Sequence, residues 1–387
     1  MADFQKPNGV RALPPWWELL AEDFHAQNPG TELDAKHWLA IRAAAAADRV
    51  MRSGLSAALT VAATPSVWPR RRFAQDLRRL ELHEALARKA DPVAAFPRPD
   101  SHVRVEAFPL RMEIPGQRLL FRSTFQPRHP ELADSYGRLQ RNVHACAQHW
   151  FHPGGPRPTL IMIHGYWLDS HWVNARWFAL RWFYKHGYDI LLYTMPFHGP
   201  RCERWDPWSG FRLFSHGWTH TNEAISQAVH DLRIFIDYLE GRGVPRVGLS
   251  GLSLGGYVAA LMAGIDDRLA FCIPNAPPVS PVDLGLEWIP SSAGVRAFLK
   301  RHGLSVPQMR GLLAVHNPLT YAPRIGTDRI LLIGGAADRF VPPKHIQLLH
   351  RHWPGSNLHW FPGNHVIHWH QGEYLRKMKR FMDRCLA

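Results

Sequence analysis

In the run Gly251-Leu252-Ser253-Leu254-Gly255 a serine stands two residues from a glycine on either side. An apolar stretch precedes it and small and apolar residues follow, which reads as strand, sharp turn and helix. A turn that throws one side chain outward between a strand and a helix strains the backbone there and brings the two elements close together. Glycines two positions before and two after are what such an approach needs. The pentapeptide alone is a weak signal, and its context strengthens it. A serine hydroxyl is a poor nucleophile near neutral pH, so it needs a neighbouring base, and that base needs an acceptor to fix its tautomer. Asp338 follows the apolar stretch RILLIGGAA, and His365 follows LHWFPGN, which places each on a loop just past a strand end. Ser253, Asp338 and His365 thus follow one another in the chain order that a nucleophile-elbow architecture uses.

Each role has an alternative. Asp283 lies beyond another apolar strand candidate and competes with Asp338 as the acid, or else caps a helix. His368 and His370 crowd behind His365, but the pattern predicts a helix over 366–382 that turns them away from the loop, which favours His365 as the base.

The elements that must hold these residues begin at about position 95. Before it, helical spacing covers 15–27, 34–53 (with Asp34 as N-cap and Gly54 as stop) and 71–90, where Phe73, Leu77 and Leu80 share a face. Pro92, Pro97 and Pro99 break any helix there, so residues 1–95 read as a helical appendage and 96–387 as a second unit. Strand candidates at 103–110, 119–125 and 142–151 come first. Strands at 159–163, 189–194, 246–249, 270–274, 329–333 and 358–361 then alternate with helices near 173–185, 222–240, 254–264, 343–351 and 366–382. Alternation of this kind, with strands apolar throughout, predicts an α/β fold with a parallel sheet buried on both faces. The stretch at about 279–328 is too long for a plain connection and reads as a cap insertion with a helix near 292–302.

With these residues in this order, the chain resembles the α/β-hydrolase superfamily, serine esterase and lipase type, over about residues 120–387. The resemblance implies Ser253 as nucleophile, His365 as base and Asp338 as orienting acid. It also implies an oxyanion hole made by the backbone N–H groups of Leu254 and Tyr166, with Trp167 as the alternative second donor in the His164-Gly165-Tyr166-Trp167 run. The chain departs from the commoner pattern at Met195-Pro196-Phe197-His198-Gly199 and lacks an HGGG loop, so no substrate carries over. The reading is a serine hydrolase that cleaves a carboxylic ester or thioester with an apolar acyl group through an acyl-serine. An acyltransferase or peptidase on the same residues, or a non-catalytic basic protein binding membrane or nucleic acid, are the alternatives. No metal or organic cofactor is required.

Composition sets the limits. The 387 residues are 46% hydrophobic and 20% charged, which suits a folded core and excludes a disordered or collagen-like chain. The four cysteines are too dispersed for a CxxC metal pair or a disulfide scaffold and read as thiols. The first residues do not resemble a secretory signal and no stretch reads as a membrane span, which gives a cytoplasmic expectation. The net charge of +14 points to an anionic partner or simply to a basic surface. His198, Arg201 and Arg204 stand among Trp167, Trp172, Trp205, Trp208 and Trp218, and a cationic, aromatic rim of this kind would suit a lipid-like acyl substrate with an anionic head group. It would also suit peripheral contact with an anionic membrane. Nucleic acid is not expected.

Overall fold

The computed structural model describes residues 14–33, 38–100, 102–110, 113–167 and 170–387. Nine strands form one sheet: β1 (Glu106–Leu110), β2 (Gly116–Arg122), β3 (His144–Trp150), β4 (Thr159–Ile163), β5 (Asp189–Tyr193), β6 (Val247–Leu252), β7 (Leu269–Asn275), β8 (Leu331–Gly335) and β9 (Asn357–Phe361). Their order is β1-β2-β3-β5-β4-β6-β7-β8-β9. The first three form an antiparallel meander joined antiparallel to β5, and β4 to β9 run parallel. Strands β4 to β8 are buried at every residue, as strands covered by helices on both faces must be.

Two pairings fix where the candidate residues can meet. β4 and β6 are neighbours, with Ile163 opposite Gly251, so the loops after them leave the sheet side by side. β8 and β9 are neighbours too, with Gly335 opposite Phe361, which sets the loops carrying Asp338 and His365 next to each other. Between β7 and β8 the chain makes the helices Pro281–Glu287, Ser291–His302 and Val306–Leu312, which occupy the region expected as a cap insertion.

The N-terminal region differs from expectation in three places. Asp34 lies outside the described residues, but the helix expected to begin there, Trp38–Val67, runs straight through Gly54. A glycine in a helix interior costs only about 1 kcal/mol, and the alanine-rich flanks carry the helix past it. Over 15–27 there is only a short helix, Trp16–Leu19, and a single 3₁₀ turn, Phe24–Ala26. Tertiary donors take the carbonyls that a longer helix would use: Arg310 reaches those of Leu20 and Ala21 at 2.7 and 2.9 Å, and Lys344 reaches those of His25 and Gln27 at 2.7 and 3.0 Å. Finally, no break in packing accompanies the turn near residue 95. Trp17, Ala87, Ala95 and Phe96 belong to the same buried core as the sheet, and Phe73 and Leu80 of the helix Arg70–Lys89 pack with Val282, Leu286 and Phe298 of the insertion.

That helix also caps another. The Asp76 carboxylate accepts the backbone N–H groups of Trp218 and Thr219 at 2.7 and 3.3 Å, satisfying orphan donors at the start of the long buried helix Trp218–Gly241. Among the described residues no helix is long and apolar enough to cross a membrane.

Candidate active site

Ser253 follows β6 directly and adopts φ 57° and ψ −117°, a conformation that L side chains rarely take, before the helix Leu254–Ala263 begins. The flanking glycines permit the turn. A Cβ on Gly251 would lie 2.3 Å from the Gly255 carbonyl oxygen, and one on Gly255 would lie 2.2 Å from that of Ile163. Main-chain bonds hold the turn to β7 and to the helix, with the Ser253 N–H donated to Asn275 O and the Tyr257 N–H to Ser253 O, both at 2.8 Å. Leu254, as the first helical residue, presents an N–H with no intrahelical acceptor, at the positive end of the helix dipole.

The loop after β4 runs beside it. His164 fixes this loop: its Nδ1–H donates to Gly165 O at 2.8 Å, which leaves Nε2 to accept the Met195 N–H at 3.1 Å. Tyr166 is pinned through its side chain, its hydroxyl donating to Gly210 O at 3.2 Å and accepting from Trp208 Nε1 at 3.0 Å. Burial pushes that phenol well above its ordinary pKa, so it stays protonated as the donor. Trp167, next along, has φ 67°.

On the other side, Asp338 is completely buried. Its Oδ1 accepts the Val341 N–H and its Oδ2 faces His365 Nδ1, each at 2.7 Å. That bond places the proton on Nδ1 and leaves the Nε2 lone pair as the acceptor. Burial works against protonating the imidazole, but the Asp338 charge and hydrogen bond, with Asp48 adding to them, outweigh it and raise the His365 pKa above its ordinary value.

The competing residues go elsewhere. Asp283 is buried in the insertion, paired with Arg310 at 2.7 Å and hydrogen-bonded to Ser280. The C-terminal helix is Gln371–Leu386, so His368 and His370 precede it rather than lying on it. His370, at φ 59°, is the residue that turns into the helix. His368 packs against Phe361 and Tyr374, where burial lowers its pKa to about 4. Neither lines the cavity that Ser253 and His365 share.

That cavity has a volume of about 830 Å³. Ser253, His365, Tyr166 and Leu254 open onto it, and beyond them its walls are mainly apolar: Leu55, Leu59 and Val67 on one side, Val282, Val295 and Phe298 on another. The first three come from the helix Trp38–Val67, so the N-terminal region roofs the site. Of the aromatic rim expected from sequence, Trp167 and Trp218 line the cavity while Trp172 and Trp205 are largely exposed. The cationic half of that rim is not there. Arg201 and His198 are fully buried, the guanidinium of Arg201 bonded to Asp231 at 2.7 Å and to Asn142 O at 2.9 Å. Arg204 lies over the Trp205 ring instead.

One polar residue at this site gives no signal in the sequence. Asp48, from the roofing helix, is completely buried, and its Oδ2 accepts the backbone N–H of Arg339 at 2.9 Å and that of His365 at 3.1 Å. It sits in the run AIRAAAAADRV, where an Asp-Arg pair reads as the solvated side of an alanine-rich helix. Among the described residues no group of three or more His, Cys, Asp or Glu is placed to hold a metal ion.

A nine-stranded, mostly parallel sheet with a strained serine turn after β6 and facing loops after β8 and β9 is the α/β-hydrolase fold. The chain is similar in structure to acetyl xylan esterase 1 from a Thermoanaerobacterium species, with TM-score 0.57 and 16% identity over 79% of this chain and 94% of that one. It is similar also to an acetyl xylan esterase from a Paenibacillus species, with TM-score 0.50 and 16% identity over 80% and 93%. No family model matches the chain. In sequence it is 27% identical over 275 residues to an uncharacterized protein present in two strains of Mycobacterium tuberculosis. That match takes in 70% of this chain and 63% of the relative's length.

Proposed function

We propose that the protein is a serine hydrolase that cleaves a carboxylic ester or thioester with an apolar acyl group. The observation that carries this reading is that Ser253 and His365, the latter bonded to Asp338 at 2.7 Å, open onto one mainly apolar cavity of about 830 Å³. A cavity of that size is at the upper end of those that enclose small ligands. A peptide would bring an N–H and a C=O per residue that such walls leave unpaired, which favours an acyl chain as the occupant.

In this reading Ser253 Oγ attacks the carbonyl carbon as its proton passes to His365 Nε2. The Leu254 N–H and one N–H from the Tyr166–Trp167 turn stabilise the oxyanion. Collapse of the tetrahedral intermediate expels the alcohol or thiol, which takes the proton back from His365. Water, deprotonated by the same imidazole, then releases the acid and restores Ser253. The role of Ser253 and the acyl preference are tested together by a fluorophosphonate probe and a series of p-nitrophenyl esters. Labelling of the wild type but not of Ser253→Ala, with kcat/KM rising along the acyl series, is the expected result. An intact fold that neither labels nor turns over any ester would overturn it.

A further inference from the structure

The helix Trp38–Val67 is fastened to the site at successive turns of one face. Asn364 Nδ2 donates to Ala44 O at 3.0 Å, Arg339 and His365 donate their backbone N–H groups to Asp48, and Arg52 Nη1 donates to Arg339 O at 2.7 Å. One turn further, the Ser291 N–H donates to Ser56 Oγ at 3.0 Å, which ties the same face to the insertion. Positions 44, 48, 52 and 56 are each four apart, the spacing at which residues stack along one side of a helix.

Asp48 differs from the others in that it holds the base itself. A single oxygen gathers the main chain of His365 and that of the residue following Asp338, so it bridges the two loops whose separation decides whether acid and base can meet. Its other oxygen, Oδ1, is buried with no hydrogen-bond partner, so a charged group stands where a neutral acceptor would also make both bonds. The charged groups facing it are Asp338 and His365 from the two loops and Arg52 from its own helix, and Arg52 in turn feels Glu287, Arg49 and Arg339. Burial first, and then the Asp338 charge, push the Asp48 carboxyl up to about 6, which leaves it ionised at neutral pH.

We infer that Asp48 is a positioning residue for the base: its carboxylate, delivered by the N-terminal helix, fixes the main chain of His365 relative to Asp338 and supports the imidazolium formed when the proton leaves Ser253. The inference rests on the hydrolase reading above. It implies that the roofing helix has a second job, since the element that encloses the acyl group also completes the charge arrangement around the histidine.

The test compares the full-length wild type with Asp48→Asn and Asp48→Ala, each checked for folding by its melting transition and counted by fluorophosphonate-reactive sites. Asparagine keeps an acceptor oxygen, so kcat per reactive site should fall no more than about tenfold, while the acid limb of the kcat/KM profile moves to lower pH. Alanine removes the acceptor, and misplacing the base should cost about 100-fold in kcat with KM changed less than threefold. An Asn profile that superimposes on the wild type, or an Ala variant with wild-type kcat per reactive site, overturns the inference. If Ala does not fold, the Asn profile alone decides. A wild type that never labels sinks the hydrolase reading instead, which keeps the two failures apart.

Discussion

Phe340 lies almost flat against the imidazole of His365, with ring centroids 5.0 Å apart and planes inclined by 24°. The ring closes one side of the imidazole, leaving its rotation limited by that face and by the bond to Asp338. Phe340→Leu should keep the fold, free the imidazole and lower kcat roughly three- to tenfold, in line with an aromatic pair worth about 0.5–1.5 kcal/mol. An unchanged kcat would show that the Phe340 ring takes no part in orienting the imidazole.

Ser253→Ala and His365→Ala should each cost at least about a thousandfold in kcat, and the double variant should be hardly worse than either, because the attacking group and its base act as one unit. Losses that multiply in the double variant would be inconsistent with a shared step.

Asp338→Asn should cost about 10⁴-fold in kcat by leaving the imidazole in the wrong tautomer. Asp283→Ala should act on stability instead. It leaves Arg310 buried without its partner, a change of about 3–5 kcal/mol, visible as a lowered denaturant midpoint with near-normal activity per folded molecule. The reverse pattern would exchange the roles of the two aspartates.

Activity should rise with pH as His365 loses its proton, since only the neutral imidazole can accept the serine proton. Because the environment raises the His365 pKa, the midpoint of kcat/KM should lie above about 6.5, and Asp338→Asn should lower the midpoint of whatever activity remains. A flat profile from pH 5 to 8 would exclude a histidine base.

Leu59 faces the cavity from the roofing helix. Leu59→Trp should shorten the space for the acyl chain and lower the ratio of decanoate to acetate turnover by about tenfold, a few methylenes' worth of lost contact. An unaltered ratio would move the acyl group elsewhere.

The Asp48 carboxyl has a native pKa raised from 3.8 to about 6, so its contribution to stability is present below about 3.8 and lost as pH rises through about 6. Asp48→Asn should therefore melt higher than the wild type at pH 8, by on the order of 1–3 kcal/mol in unfolding free energy, with the gain shrinking toward pH 4. Together with reduced turnover this would be the trade of stability for activity that strained or charged sites show.

Much of the site is legible in the sequence alone. The strands around it are apolar throughout, and Gly251, Ser253 and Gly255 carry their geometry locally, so the elbow and its sheet can be read from short windows. What windows cannot show is which face of a helix meets which loop. Asp48 reads as one half of a solvated Asp-Arg pair, and its environment is made by residues 338–341 and 364–365. Arg201 misleads in the opposite direction: charge in an aromatic segment suggests a rim, but Asp231 on the helix Trp218–Gly241 draws it inside. The C-terminal helix begins five residues later than its apolar periodicity suggests, because 366–370 first serve as the far side of the His365 loop, where Asn364 Oδ1 accepts the N–H groups of Val366 and Ile367.

The hydrogen bond between Asp48 and His365 spans 317 positions of the chain. Contacts of that separation form only after a very long loop has closed, so they belong to the end of assembly, once β4 to β9 have condensed on their neighbours. The roof should accordingly settle last, and until it does the walls of the cavity stand open to water. In a refolding time course a dye that reports exposed apolar surface should therefore bind early and be released as the first long helix docks, making its arrival the event that encloses the cavity.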